Sequence, residues 1–185
     1  MKRLVSVECH ADRLFFERLL KNDSIIIKEK NKQEVLKGIK ERAKNNFRVG
    51  IVDHDNEAIE GYFKDRGLQK IEMGGGTIEV ISIQNAPHYI IQLRPKEFEN
   101  FLVEYLERYE NKKIVDFGYS SLREFTTDSK VIFERLIKAE RLIRVFNYIL
   151  EHYMLSENPV HKLKRTLDYL IKYQYQVDLN ELKNV

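Results

Sequence analysis

Short segments with alternating hydrophobic and polar positions occupy the first third of the chain, and longer segments with helical spacing separate them. Residues 3–8 ("RLVSVE"), 24–29 ("SIIIKE") and 48–53 ("RVGIVD") are rich in β-branched side chains and predict three strands. Residues 11–22 and 31–47 carry apolar side chains at helical spacing and predict two helices. Strands that alternate with helices in this order predict an α/β fold with a mainly parallel sheet flanked by helices.

The sequence of the middle of the chain predicts further strands and another helix. Residues 68–73, 77–83 and 88–93 read as further strands, and three consecutive glycines lie between the first two of them. The glycines lack the lysine and hydroxyl ending of a phosphate-binding loop, so a hairpin turn is the simpler interpretation. Residues 95–110 predict a helix, with Pro95 at its start.

The last third predicts helices alone. Residues 128–154 form one long segment with helical spacing, and Pro159 starts a last helix that runs to about Tyr173. We therefore expect an α/β domain over residues 1–117 and an all-helical C-terminal appendage over residues 118–185 that packs on it.

Length, apolar content, cysteine count and charge exclude several classes of protein. The 185 residues suit one domain with an appendage, and the longest apolar runs are too short to cross a membrane. The N-terminus lacks the apolar core of a secretory signal, and a single cysteine excludes an internal disulfide and a cysteine-rich zinc site. We therefore expect a cytoplasmic protein without a membrane partner. Because 32 basic residues nearly balance 29 acidic ones, any surface for nucleic acid must be local.

Three carboxylates mark the candidate chemistry. Glu8 and Asp53 each end a predicted strand, and Asp55 lies two residues beyond Asp53. Ligands gather at the carboxyl edge of parallel sheets, so the three side chains are expected to meet there. Repulsion between neighbouring carboxylates is unfavourable unless a cation, water or a basic group relieves it. The other interpretation of the aspartate pair is a solvated turn in which Asp55 caps a helix.

A divalent cation is the partner that these side chains predict. Hard carboxylate oxygens suit Mg²⁺ or Mn²⁺, and magnesium keeps waters and room for a substrate phosphate. Such a site would polarise a phosphodiester and lower the pKa of a bound water, and two ions about 4 Å apart would hold both sides of the displacement. The sequence leaves open whether one or two ions bind.

The order of these motifs resembles a known family. A strand that ends in "VSVECHAD", followed after a helix, a strand and a helix by a strand that ends in "IVDHD", resembles the Toprim domain of topoisomerases, primases and overcoming-lysogenisation-defect-type nucleases. The resemblance covers about residues 3–110, so the expected α/β domain is Toprim-like, and it is greatest to small stand-alone Toprim-like proteins of uncharacterised function. It implies that Glu8, Asp53 and Asp55 bind the metal, and that Glu8 also serves as general acid or base.

Further positions follow from the same resemblance. The family's aspartate four residues after the glutamate is matched by Asp12, and its later acidic helix start is matched loosely by "RPKEFENFL", where we nominate Glu99 ahead of Glu97. Asp12 is equally well explained as an acid in the first turn of a helix. Cys9 stands where the family commonly has glycine, so its side chain is expected to crowd a phosphate or alter the turn.

Other side chains are candidates for contacts with substrate phosphate. His10 and His54 flank the carboxylates and would contact phosphate or a transition metal, although surface histidines are commoner. Lys130 and Arg141 belong to a basic stretch that would contact nucleic-acid phosphates, although helices usually turn such charges to water. Cys9 lacks the accompanying residues of a cysteine nucleophile.

These observations lead to a function with alternatives. The leading hypothesis is Mg²⁺-dependent phosphodiester cleavage or phosphoryl transfer on DNA or RNA, with the C-terminal helices positioning the substrate or a protein partner. The first alternative is a non-catalytic Toprim-like module that binds nucleic acid, a nucleotide or another protein within a larger assembly. The second is a phosphatase that acts on a small substrate at the same site.

Overall fold

Most of the chain is described by the structure. The computed structural model describes residues 3–43, 46–54, 59–130, 136–155 and 157–185, and over residues 136–139 only the backbone. Asp55, one of the three predicted metal ligands, lies outside the described residues.

Within the described residues, six strands form one sheet. They are β1 (Val5–Val7), β2 (Ile26–Lys28), β3 (Arg48–Asp53), β4 (Leu68–Met73), β5 (Ile78–Ile83) and β6 (His88–Leu93). Their spatial order is β2-β1-β3-β6-β5-β4, in which the first four strands are parallel and β5 and β4 are added antiparallel. The prediction of an α/β fold with a mainly parallel sheet is confirmed.

Helices cover this sheet and make up the C-terminal region. They are α1 (His10–Leu20), α2 (Lys32–Lys37), α3 (Phe98–Tyr109), α4 (Leu122–Lys130), α5 (Leu136–His152), α6 (Pro159–Tyr173) and α7 (Leu179–Asn184). A π-helical turn, Gly38–Arg42, continues α2. Among the described residues, no helix is long and apolar enough to cross a membrane.

The two faces of the sheet carry different helices. Val49 and Ile51 of β3 belong to the core that contains α1, whereas Gly50 between them faces α2. A Cβ atom added at Gly50 would lie 2.5 Å from Cδ1 of Ile39 and 2.8 Å from Cγ1 of Val35. The absence of a side chain at this position therefore lets the helix approach the strand closely.

A hairpin with three glycines joins β4 to β5. Gly74, Gly75 and Gly76 have φ angles of +57°, +66° and +87°, in the left-handed region that favours glycine. The flanking strands pair antiparallel, so the predicted hairpin turn is confirmed.

The C-terminal helices pack on the α/β part through a shared core. Phe146 of α5 lies with its ring centre 5.2 Å from that of Phe15 in α1 and 6.3 Å from that of Phe98 in α3. All three rings are buried, and both contacts have the edge-to-face geometry that aromatic pairs prefer. The helical region thus covers α1 and α3, and these two helices begin at the carboxyl edge of the parallel strands.

The prediction of one long helix over residues 128–154 is wrong. Arg141 in α5 binds Glu124 at 2.9 Å and Asp128 at 2.7 Å, both in α4. In one straight helix residues 124 and 141 would be about 25 Å apart at 1.5 Å per residue. The helices α4 and α5 therefore lie side by side. Helical periodicity continues from one helix to the next, so the spacing of apolar residues does not reveal the ion pairs that join them.

The predicted helix start at Pro95 is also wrong. The Arg94–Pro95 peptide bond is cis, Glu97 has an extended backbone, and α3 begins at Phe98. The cap comes from elsewhere in the chain, because the Asp53 carboxylate accepts a hydrogen bond from the Phe98 N–H at 2.7 Å. A cap supplied by another strand leaves no local signal in the sequence.

Candidate acidic site

The site lies where the parallel strands end. The strand order reverses between β1 and β3, with α1 on one face and α2 on the other, and ligands of open α/β sheets bind at such a switch point. A pocket of about 280 Å³ opens there. Its lining follows the ends of all four parallel strands and adds one side chain from α4: Glu8, Cys9, Asp12, Lys30, Asn31, Asp53, Glu97, Glu99 and Lys130.

Glu8 and Asp53 meet at this edge, as the order of the strands leads one to expect. Oε1 of Glu8 accepts a hydrogen bond from the Asp53 N–H at 2.8 Å. Asp53 in turn uses Oδ1 to accept from the Phe98 N–H. One carboxylate thus ties β1 to β3, and the other ties β3 to the first residue of α3.

The main chain of Asp53 is also held by two side chains. Its carbonyl oxygen accepts from Nζ of Lys32 at 3.1 Å and from Nε2 of Gln92 at 3.4 Å. Lys32 is only 3% exposed, so its ammonium group lies inside the protein next to the Asp53 carbonyl and not in solvent. The end of β3 is therefore fixed through both its backbone and its side chain.

Asp53 has the acid group of this pocket whose pKa is raised to about 9. Burial is the largest cause of this rise in pKa, and the charges of Asp12, Glu8 and Glu99 contribute in the same direction. The hydrogen bond from the Phe98 N–H opposes the rise. At neutral pH the carboxyl group therefore holds a proton unless a cation takes the proton's place.

Glu99 is a second acid with a perturbed pKa. It is 4% exposed, and burial raises its pKa to about 7, while a hydrogen bond from the Ser129 hydroxyl acts in the opposite direction. The charges of Asp12 and Glu97 raise the pKa further. Glu97 lies nearer the rim, where its Oε1 is 3.5 Å from Nζ of Lys130, and the Lys130 side chain is 59% exposed. The structure thus places both predicted glutamates in the pocket lining, with Glu99 the more buried.

Asp12 and Cys9 form the start of α1. The Cys9 N–H donates to Oδ2 of Asp12 at 3.0 Å and its thiol donates to Oδ1 at 2.9 Å, while the Cys9 sulfur accepts from the Asp12 N–H. Burial raises the pKa of Asp12, and the hydrogen bonds from Cys9 oppose that rise. Cys9 is therefore the N-cap of α1, and Asp12 completes the capping box at the edge of the pocket.

Cys9 does not distort the turn in which the resembling family commonly has glycine. Its backbone is extended, with φ −128° and ψ 176°, a conformation open to any residue. Burial, with the neighbouring Asp12 charge, raises the pKa of the thiol, so the side chain is a neutral donor. The expected change of backbone is not found, and a reactive thiolate is disfavoured.

The remaining predicted residues lie elsewhere. His10 begins α1 outside the pocket lining, and its pKa is lowered by burial and by the charges of Lys28 and Arg13. His54 follows β3, where its N–H donates to the Leu93 carbonyl at 3.0 Å. Arg141 is engaged by the acidic residues of α4.

The donors suit a hard cation in chemical type, although they do not form a complete ligand set. In the described ranges of the chain, no group of three or more His, Cys, Asp or Glu side chains could hold a metal ion. The carboxyl groups of Asp53 and Glu99 nevertheless retain protons that a divalent cation would displace. Asp55, the third predicted ligand, falls in the segment that the structure does not describe.

Four participants were not predicted from the sequence: Lys30, Asn31, Lys32 and Ser129. Asn31 caps α2 by accepting from the Glu34 N–H, and the end of β2 reaches the same sheet edge, so its position carries a usable signal. Lys32 occupies the first turn of a helix, where the helix dipole makes a cation unfavourable. A lysine at such a position is therefore a sequence signal for a side chain that binds a group elsewhere in the fold. Ser129 has no local signal, because its partner Glu99 lies 30 residues away.

Comparison of the chain with protein-family models finds no match, and comparisons with curated proteins and with solved structures find none either. The Toprim-like interpretation therefore depends on the motifs and on the chemistry of the pocket.

Proposed function

We propose that the acidic pocket performs metal-dependent phosphodiester cleavage or phosphoryl transfer on nucleic acid, as in the Toprim domains that the sequence resembles. The observation that supports this most is the raised pKa of Asp53 among Glu8, Asp12 and Glu99 at the sheet's switch point. A cluster of acids that destabilises its own ionised form is typical of sites that act on charged ligands.

In this proposal each side chain has a distinct task. Glu8, Asp53 and Asp55 hold Mg²⁺ or Mn²⁺, and the ion supplies polarisation of the phosphate and an activated water when bound. Asp12 fixes the start of α1 next to these ligands. Glu99, whose pKa is about 7, exchanges a proton with the leaving or attacking oxygen near neutral pH.

Two lysines at the pocket are suited to the substrate's phosphates. Lys30 follows β2 and is exposed, and Lys130 extends from α4 over Glu97. The pair between Lys130 and Glu97 is long and solvent-exposed, so exchange of the glutamate for a phosphate oxygen costs little. The acidic centre would then bind the cation while the flanking lysines bind the anion.

A non-catalytic module is the second candidate, and one observation favours it. The carboxylates already bind protein groups: Glu8 binds the Asp53 N–H, Asp53 binds the Phe98 N–H, and Asp12 binds Cys9. Under this alternative the acids hold β1, β3, α1 and α3 together, and the pocket binds a ligand without reacting with it.

Cleavage assays distinguish the two candidates. The protein is incubated with circular DNA, single-stranded DNA and RNA in the presence of Mg²⁺, Mn²⁺ or EDTA. The test variant is Asp53→Asn, which keeps an oxygen for the Phe98 N–H, and the control is Asp168→Asn, at a side chain that is 53% exposed on α6. We expect metal-dependent products from the wild type and the control but not from Asp53→Asn. Binding without products, or products that persist in Asp53→Asn, would contradict the proposal.

A further inference from the structure

A second polar pocket, of about 360 Å³, lies at the outer edge of β2. Three cationic side chains contribute to its lining: Arg3, Arg13 from α1 and Lys28 from β2. The rest of the lining is Asp23, Ser24, Ile26 and Ile27. Because β2 is the last strand on its side of the sheet, the pocket faces outward from a sheet edge. We call it the basic edge pocket.

The main chain of β2 adds a donor on the same side. The Glu29 N–H donates to the Val7 carbonyl at 2.8 Å and so faces β1. Successive N–H groups of a strand alternate in direction, so the Lys28 N–H faces outward from the sheet edge. Backbone and side chain of Lys28 thus both present donors at the pocket.

The acids near the pocket do not cancel its cations. Glu17 binds Arg13 at Nε, so the terminal amino groups of the guanidinium are not part of this contact, and Arg13 remains 45% exposed. Exposed pairs of this kind, four residues apart on a helix, contribute little and exchange readily. With Asp23, two acids face three cations. The pKa of His10 is lowered first by burial and then by the charges of Lys28 and Arg13, and this second contribution agrees with a positive potential between α1 and β2.

The basic edge pocket and the acidic pocket share no lining residue, but their linings come close together along the chain after β2. Lys28 ends β2 and lines the first pocket, whereas Lys30 and Asn31 line the second. Two residues span at most about 7 Å, so the chain places a cationic side chain of one pocket close to a cationic side chain of the other. A negatively charged chain bound along Lys28 and Lys30 would be directed toward the carboxylates.

We infer that the basic edge pocket binds the sugar–phosphate backbone of a single-stranded nucleic acid and directs the strand to the acidic pocket. Cations and outward-facing N–H groups are the donors that phosphates recognise without regard to sequence. A pocket of this volume accommodates the backbone of one strand, and its lining lacks the broad apolar surface that a membrane would require. The direction of the strand rests on the proposed function, whereas binding in the pocket does not.

The test measures binding in the absence of catalysis. Fluorescence anisotropy follows the wild type with a labelled oligothymidylate of about 20 nucleotides in EDTA, over a range of salt concentrations. The test variant is Arg3→Gln, Arg13→Gln, Lys28→Gln. The control, Arg108→Gln, Arg165→Gln, Lys64→Gln, removes the same number of charges from exposed positions outside the pocket. Circular dichroism checks that both variants are folded, and Lys28→Gln alone replaces the triple variant if that melts early.

The expected result is a loss of affinity confined to the pocket variant. Each phosphate contact on a single strand contributes about 0.7 to the slope of log affinity against log salt, so three contacts lower the slope by about 2. At about 0.1 M salt we expect at least roughly tenfold weaker binding for the triple variant, a smaller loss for Lys28→Gln alone, and a change of less than about twofold for the control.

Several results would overturn the inference. The inference fails if the wild type does not bind the oligonucleotide, if the pocket variant binds it as tightly as the wild type, or if the control loses as much affinity as the pocket variant. It also fails if the wild type binds anionic lipid vesicles instead of the oligonucleotide and the pocket variant loses that binding. The outcome is separable from that of the proposed function. If the pocket variant binds normally while Asp53→Asn abolishes cleavage, only the inference about the basic edge pocket is refuted. If the pocket variant loses binding and the wild type cleaves no substrate, only the proposed catalysis is refuted.

Discussion

Replacing Asp53 with asparagine tests the electrostatics of the acidic pocket without removing the contact that caps α3. The amide oxygen of asparagine can still accept from the Phe98 N–H, which Asp53 binds at 2.7 Å. The substitution removes the ionisable group whose pKa is raised by burial and by three neighbouring acids. We expect Asp53→Asn to raise the free energy of unfolding at neutral pH.

The sign and size follow from the two pKa values. In the unfolded chain Asp53 has its ordinary pKa of 3.8, and in the folded protein the pKa is about 9. Between these values the folded protein holds a proton that the unfolded chain has lost, so this group lowers stability as pH rises. At pH 7, about 3 units above the unfolded value, the penalty is about 4 kcal/mol at 1.36 kcal/mol per unit.

The net gain is smaller than the penalty removed. The amide of asparagine brings an NH₂ group that must find an acceptor, and the cost of imperfect pairing is about 1–2 kcal/mol. The expected gain is therefore about 2–3 kcal/mol at pH 7. For a chain of this length that corresponds to a rise in Tm of about 5–10 °C.

The assay is chemical and thermal unfolding, followed by circular dichroism between pH 4 and pH 9 without divalent cations. Relative to the wild type, Asp53→Asn should be less stable by about 1 kcal/mol at pH 4, equally stable near pH 5, and increasingly more stable as pH rises toward 9. Asp168→Asn, at an exposed side chain paired with Lys164, serves as control and should show no such growth. Added Mg²⁺ should stabilise the wild type more at high pH than at low pH, and should not stabilise Asp53→Asn.

A constant difference would refute the raised pKa of Asp53. If Asp53→Asn is less stable than the wild type by the same amount at every pH, the carboxylate is ionised in the folded protein and its charge strengthens the cap on α3. The repulsion among the acids would then be relieved by protein groups, and the case for a cation in the pocket would lose its main support.

Three further predictions concern other parts of the fold. Gly50→Ala would place a Cβ 2.5 Å from Ile39 and should lower the free energy of unfolding by about 2 kcal/mol in urea denaturation, whereas unchanged stability would contradict the close packing of α2 on β3. Arg141→Met would leave the fully buried Asp128 without its cation and should lower Tm by about 5 °C, with partial recovery when Asp128→Asn is added; no recovery would argue against the ion pair. The half-buried Cys9 thiol should react with iodoacetamide at pH 8 much more slowly in the native than in the denatured protein, and equal rates would contradict its raised pKa.

The sequence predicted the elements whose signal is local. The six strands follow from β-branched residues and turn residues, and the sheet edge follows from strand order, so the sequence alone places Glu8 and Asp53 together. The acids Asp12 and Glu99 came from the family resemblance, and the structure places both in the same pocket. In a parallel sheet the carboxyl ends of neighbouring strands lie side by side, so residues that follow these strands can be predicted to meet.

Features that the sequence did not predict depend on partners that are distant along the chain. The start of α3 is set by Asp53, 45 residues away, and the division between α4 and α5 is marked by Arg141 binding back to α4. Ser129 and Lys32 were not predicted as site residues for the same reason. Each binds a residue too far along the chain to share a short motif with it. Helical periodicity reports which face of a segment is apolar, but not which tertiary contact ends or caps it.

The acidic pocket depends on both local and distant contacts. The carboxylates of Glu8 and Asp53 accept hydrogen bonds that hold β1, β3 and α3 in place, and at this position burial and the charges of the neighbouring acids raise the pKa of Asp53. A purely structural set of caps would gain stability from ionised carboxylates, as acids at helix starts usually do. Here the rise in the pKa of Asp53 opposes that gain, so the arrangement is less stable at neutral pH than a neutral amide would make it. Such a penalty is expected where a chain keeps charged groups for a ligand, and it is the physical reason for placing a cation among these residues.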